Sequence, residues 1–251
     1  MDAEVSLPTH DALVRPNGFA TRCARLLETK LDCRRLVTEE EREPVYRLRF
    51  ECYRREGGVE TSGPQLLTDQ HDHAPHGFVY GFYIDDLLVG SQRIHVVSKE
   101  FPVSPQVEVF PDLLEPELEA GMTAIDCSRF VIDHEFGRRY RELPYLVTRI
   151  AFLACDWFGT EYAMTAARPE HWAFYKRTYA MLPVCEPRGF PRLTAKFSLV
   201  RADYQSDIRP YTTARYPFYN STYTERKLCF EPNPMTIARK PVSRIHSVAA
   251  E

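Results

Sequence analysis

Apolar positions in this chain change their spacing from one segment to the next, and the changes mark out elements. Residues 1–30 show weak periodicity and read as an N-terminal arm, with a helix near Ala20 to Leu31. CRRLV at 33–37 has the make-up of a first strand. In TEEEREPVYRLRFECYRREGG, Val45, Leu48 and Cys52 fall on one helical face, with Phe50 and Tyr53 beside it. Thr38 and Glu41 have the spacing of a capping box, and Gly57–Gly58 form a stop. Pro44 is awkward inside that helix, so it either kinks it or moves the start to about Glu43. FVYGFYI (78–84) and LLVGSQRIHVV (87–97), split by Asp85–Asp86, read as an antiparallel hairpin. A Pro- and Glu-rich connection with a short helix around Val109 to Leu114 leads to TAIDCSRFVID (123–133), a buried strand.

The second half alternates. LPYLVTRIAFLACDWFG (143–159) predicts a buried helix with Pro144 in its first turn, EYAMTAA (161–167) a strand, RPEHWAFYKRTYAML (168–182) a helix, and LTAKFSLVRAD (193–203) a last strand. Residues 204–251, rich in Tyr, Pro and Arg with little period, are read as an extension packed on the core or trailing from it. The order predicts a mixed sheet in an α/β or α+β domain over 31–203.

Composition narrows the function classes. The chain has 251 residues, 44% hydrophobic and 27% charged, as in a globular protein with a real core. A formal net charge of -3 offers no overall basic field for nucleic acid. The first residues lack the apolar run of a secretion signal, and no window is apolar enough for a membrane span, so the expected setting is the cytoplasm. There the seven cysteines stay reduced, and none forms a CxxC pair.

The loop DQHDHAPHG (69–77) crowds His71, His73 and His76 with Asp69 and Asp72. Metal sites need converging ligands rather than local density, so no metal is assigned, and the aspartates are taken as the functional members. Other candidates are ordered along the chain: Arg49 and Tyr53 on the first long helix, Asp69-x-x-Asp72 in the loop, Arg93 on the second hairpin strand, and Asp126-Cys-Ser128-Arg129-Phe130 on the central strand.

That ordered set, over about residues 33 to 201, resembles the acyl-homoserine-lactone autoinducer synthases. It is still more similar to their relatives, the N-acyl amino acid synthases, which share the Tyr-Arg-Leu-Arg-aromatic helix and the Ser-Arg-Phe strand. Both belong to the GCN5-related N-acetyltransferase (GNAT) superfamily. The resemblance implies a mostly antiparallel mixed sheet with a splayed central strand, flanked by helices. It also implies transfer of a medium or long acyl chain from acyl carrier protein to the amine of an amino acid or similar small amine. No tightly bound cofactor is implied; acyl-phosphopantetheine, or acyl-coenzyme A, is a co-substrate. The chain departs from the autoinducer pattern at Leu67, where an acid is expected, and at Asp126, where glutamate is usual.

On this resemblance Asp69, Asp72 and Asp126 hold the ammonium group, and Asp126 relays its proton through water. A loop turn for Asp72, and a structural ion pair of Asp126 with Arg93 or Arg129, are the plainer readings. Ser128 either donates a hydrogen bond near the acyl carbonyl or simply satisfies the backbone, and Arg49, Tyr53, Arg93, Arg129 and Phe130 are placed around the substrates. Tyr175 is carried over as the acid for the leaving thiolate, although the Gly-Phe ending of that motif is Tyr179-Ala180 here. Gly137 with Arg138, Arg139 and Arg141, at a helix N-terminus after the central strand, is assigned to the phosphate and the acidic carrier protein. Rival readings are an autoinducer synthase, an acetyl-coenzyme A-dependent acetyltransferase, and a non-catalytic acyl or carrier-protein binder.

Overall fold

The computed structural model of the chain describes residues 18–60 and 63–231. The remainder of the expected N-terminal arm, residues 1–17, and positions 232–251 of the expected extension lie outside them.

The chain opens with α1 (Gly18–Thr29), β1 (Leu31–Leu36) and α2 (Glu39–Arg55). The capping box closes as the spacing predicts: the Thr38 hydroxyl accepts from the Glu41 amide, and the Glu41 carboxylate accepts from the Thr38 amide. This cap fixes the start of α2 at Glu39, so Pro44 sits inside the helix and does not delay it. A 3₁₀ turn, Gln70–His73, precedes the hairpin β2 (Gly77–Ile84) and β3 (Leu87–Val97). Asp85 and Asp86 both take positive φ, 50° and 60°, the geometry of a type I′ turn that follows the strand twist.

The proline-rich connection holds two short helices, α3 (Pro105–Val109) and α4 (Pro111–Glu119), where the sequence predicted one. Ser104 caps α3 and each helix carries Pro in its first turn. Then come β4 (Ala124–Ile132), α5 (His134–Arg139), α6 (Leu143–Phe158), β5 (Tyr162–Ala167) and α7 (Trp172–Tyr179). Helix α7 is shorter than the apolar pattern suggests, because Ala180 turns left-handed at φ 57° and ends it. Leu182–Pro183 (β6) and Arg188–Gly189 (β7) instead pair with β8 (Lys196–Asp203).

The sheet runs β1-β2-β3-β4-β5-β8-β6, with β7 also on β8. All neighbours are antiparallel except β4 and β5. This is the mixed, mostly antiparallel sheet of the GNAT folds. Helices α2, α3 and α4 cover one face and α1, α6 and α7 the other.

The stretch after β8 is not a loose extension over its described part. A π turn (Tyr204–Ile208), α8 (Arg209–Arg215), a 3₁₀ turn (Pro217–Tyr219) and α9 (Tyr223–Phe230) bury Tyr204, Ile208, Phe218, Tyr219, Cys229 and Phe230 in the main core. The buried Arg149–Glu225 pair ties α9 to α6, and the Arg149 Nε donates to the Phe218 carbonyl at 2.6 Å. Each element there is too short to show a period. Among the described residues no helix is long and apolar enough to cross a membrane.

Candidate active site

Three arginines from three elements converge on the loop before β2. Asp69 starts the 3₁₀ turn: its carboxylate accepts from the His71 amide at 3.0 Å, and its own amide donates to Asp72 at 3.1 Å. Arg93 of β3 donates to Asp69 at 2.5 Å and 3.2 Å and lies 3.0 Å from Asp72. Arg49 of α2 donates to Asp72 at 2.7 Å, and Arg129 of β4 to Asp69 at 2.6 Å. The Nε of Arg93 donates to the Ser128 hydroxyl at 3.0 Å. The Arg129 guanidinium lies 5.7 Å from the Tyr53 ring centre.

A bulge in β4 makes this convergence possible. Between the pairs Ser91–Val131 and Arg93–Ser128, β4 carries one residue more than β3, and Arg129 takes φ 51°. Ser128 and Arg129 therefore both reach the cluster although they are consecutive, while Phe130 turns to the opposite side.

The charge count within the cluster is uneven: three guanidiniums face two carboxylates. Burial would raise the carboxyl pKa of Asp72, but Arg49 and Arg93 outweigh it and hold it down at about 2. Asp69 is lowered further, because Arg93 and Arg129 overcome the same burial effect. Arg49 is fully buried, and its Nε and Nη2 have no partner among the described residues. The surplus is cationic, so the cluster suits an incoming anion better than an ammonium.

Beside it the sheet opens. The β4–β5 ladder holds only from Ala124–Tyr162 to Cys127–Thr165, after which the two parallel strands part. A cleft of about 360 Å³ fills the gap, lined by Tyr53, Ser128, Arg129, Phe130, Pro144 and Tyr175 among others. Phe130, Thr165 and Tyr175 also line a narrow inner slot of about 40 Å³. That slot runs between the sheet and α6, past Ala151, Phe152 and Cys155, and the post-β8 segment closes it with Tyr204 and Ile208. Burial raises the Tyr175 phenol above its ordinary value, so it carries its proton at neutral pH.

Two expectations meet a different geometry. Asp126 does not share an open pocket with Asp72. It lies on the same sheet face as Ser128 but lines neither cavity, because α3 seals it: the Gln106 amide donates to one carboxylate oxygen at 3.3 Å, and the other has no partner among the described residues. Burial, only partly offset by Ser104, Gln106 and Arg93, pushes its pKa up to about 7. Nor is the N-terminus of α5 open to phosphate. The Asp133 carboxylate already accepts from the Glu135 and Phe136 amides, both at 3.0 Å, and Gly137 lies within the helix. Arg138, Arg139 and Arg141 are exposed there; Arg139 lies over the Tyr140 ring, and Arg138 and Arg141 make no ion pair among the described residues.

The histidines have local partners: His71 bonds Glu108 at 2.7 Å, His76 the Val103 carbonyl at 2.6 Å, and His95 the His71 carbonyl at 2.9 Å. Among the described residues no three His, Cys, Asp or Glu side chains are placed to hold a metal ion. The sequence reading missed Gln92, Thr148, Tyr179, Tyr204 and Ile208, which line the slot. Of these, only Gln92 carried a signal, as an amide inside a strongly apolar strand.

A sheet split between its two parallel strands, with a polar cleft leading into an apolar slot, is the arrangement of the GNAT-like folds, and the family to which the chain belongs makes it an acyltransferase. The family model described as "N-acyl amino acid synthase FeeM" matches residues 44–203, and the chain belongs to that family. The structure of FeeM, an N-acyl amino acid synthase from uncultured soil microbes, is similar to it at 16% identity and a TM-score of 0.60, covering 74% of this chain and 97% of that one. The acyl-homoserine-lactone synthase LasI matches at 12% identity and TM-score 0.55, over 74% and 94% of the two chains. BjaI, a coenzyme A-dependent acyl-homoserine-lactone synthase solved with SAM and isopentyl-CoA, matches at 15% and 0.54, over 75% and 89%. At such identities these likenesses speak for the fold alone. No curated protein is significantly similar to the chain by sequence.

Proposed function

We propose that this N-acyltransferase moves a medium or long acyl chain from the thioester of acyl carrier protein to the α-amine of an amino acid. The observation that carries the reading is the cationic surplus of the Arg49/Arg93/Arg129 cluster at the edge of a cleft that continues into an apolar slot. Arg129 lines the cleft and meets the acceptor's carboxylate, which directs its amine toward the gap between β4 and β5. The acyl chain enters the slot. Beyond Cys127 the β5-facing edge of β4 has no strand partner, leaving backbone groups for the thioester oxygen and the amides of the pantetheine arm.

In the reaction the amine nitrogen attacks the thioester carbonyl, the C–S bond breaks, and an amide forms. Tyr175, at the junction of cleft and slot, gives its proton to the leaving thiolate and regains one from solvent. The proton lost by the amine passes to water in the cleft. Asp69 and Asp72 keep the guanidiniums in place and are too acidic to take it. The exposed Arg138, Arg139 and Arg141 suit the acidic surface of a carrier protein, and a cytoplasmic setting supplies such donors.

The test is to incubate the protein with acyl-carrier-protein and acyl-coenzyme A thioesters and the amino acids, and to seek N-acyl products by mass spectrometry. N-acyl amino acids formed from the carrier-protein donor are the expected result, and Arg129→Met should raise KM for the amino acid by roughly 10- to 100-fold. Absence of any amide product from every donor would overturn the reading.

A further inference from the structure

Among the described residues the inner slot holds one fully buried polar atom with nothing to bond. Its threonine hydroxyls and those of Tyr179 and Tyr204 are committed. Thr165 donates to the Cys127 carbonyl at 2.9 Å, Thr148 to the Pro144 carbonyl at 2.6 Å, and Tyr204 to Asp156 at 2.9 Å. Tyr179 bonds Thr148 and Tyr219. Gln92, on β3, is 2% exposed, and its Oε1 has no hydrogen-bond partner among the described residues, alone among the fully buried polar side-chain atoms of the residues lining the slot.

An unpaired buried amide oxygen is costly, and an unsubstituted alkyl chain lying against it would leave that cost in place. A chain bearing a hydroxyl would remove it. The position of that hydroxyl follows from the strand register. Gln92 and Cys127 line the slot together, and Cys127–Thr165 is the last β4–β5 pair before the strands part. Thr165 lines both cavities, so Gln92 faces the first carbons beyond the reacting carbonyl and not the far end of the chain.

We infer that the slot is built for a β-hydroxyacyl chain, with the Gln92 Oε1 accepting the hydrogen bond of the substrate's hydroxyl. This rests on the acyl-transfer reading above and narrows its donor. Gln92 acts on specificity: it binds the chain and takes no part in bond making. A site that hydrogen-bonds a substrate hydroxyl discriminates against the analogue lacking it, because the protein group is then left unpaired.

The experiment compares β-hydroxydecanoyl and decanoyl carrier-protein thioesters on the wild type and on Gln92→Met, which keeps the length and loses the amide. The wild type should prefer the hydroxylated donor by about tenfold or more in kcat/KM, and the variant should bring the ratio close to one. Equal use of the two donors by the wild type, or a preference that survives in Gln92→Met, would overturn the inference. Binding of the free β-hydroxydecanoic and decanoic acids by calorimetry keeps the two readings separable. If no donor is turned over, the acyl-transfer reading falls. The hydroxyl inference is then decided by whether the hydroxylated acid binds about tenfold more tightly and loses that margin in the variant.

Discussion

Asp72 and Asp126 are two carboxylates on the same side of one sheet, both sealed from water, yet they stand in opposite states. Asp72 meets two guanidiniums and is held at about 2; Asp126 meets a hydroxyl, a backbone amide and a more distant Arg93, and is pushed up to about 7. Equal burial thus yields an anion in one place and a carboxyl about half protonated in the other at neutral pH. The partner within hydrogen-bond reach decides which. Asp72 anchors the cluster that borders the cleft, whereas Asp126 belongs to the floor beneath α3.

The largest effect expected from breaking this contrast comes at Asp72. Asp72→Asn leaves Arg49, whose side chain is wholly buried, without its counter-ion. Removing one partner of such a pair costs about 3 to 5 kcal/mol, which urea unfolding would register directly. A loss comparable to that of an exposed pair, below about 1 kcal/mol, would show that the Arg49 charge is met elsewhere.

Next in size is the pH dependence at Asp126. Its folded pKa, about 7, lies above its ordinary 3.8, so its stabilisation is complete below 3.8 and is lost as pH rises toward 7. Its cross-strand neighbour His95 works the other way. Burial lowers His95 from 6.5 to about 3, so the stability it supports is present above 6.5 and lost as pH falls toward 3. In the wild type the two trends oppose each other. Asp126→Asn removes one of them, so the stability of the variant relative to wild type should climb by up to about 1.4 kcal/mol per pH unit between about pH 4 and 7. Urea midpoints across that range measure it, and a constant difference would place Asp126 in a polar, solvated setting. Asp72, depressed to about 2, contributes only an acid limb below 3.8.

How far the sequence reading reached follows the same physics. The strands of the hairpin, the Thr38 cap and the central strand were legible because each rests on a local pattern of two to four residues. Arg49, Arg93, Arg129, Asp69 and Asp72 are legible as separate motifs, with Arg93 or Arg129 expected to pair with Asp126; their meeting with Asp69 and Asp72 depends on a bulge at Arg129 that no local pattern announces. Asp126 looked like a cleft residue because strand alternation gives its face, not what covers that face; a cap at Ser104 decides that. Tyr204 and Ile208 were passed over as an extension because they reach the slot from a single π turn.

Ser104 offers the finest test of the contrast. Its hydroxyl oxygen accepts from the Val107 amide at 3.3 Å as the cap of α3, and its proton bonds the Asp126 carboxylate. Ser104→Ala removes both, costing about 1 kcal/mol through the cap alone. It also takes away a donor that favours the charged form, so the Asp126 pKa should move above 7 and the pH at which its contribution is exhausted should move with it. Among the described residues Ser104 makes no hydrogen bond to Asp69, Asp72 or their arginines, so the acid limb should stay where it is. Carboxyl-carbon NMR titration follows each aspartate separately. An unchanged Asp126 titration in the Ala variant would mean that burial alone, without the α3 cap, separates the two carboxylates.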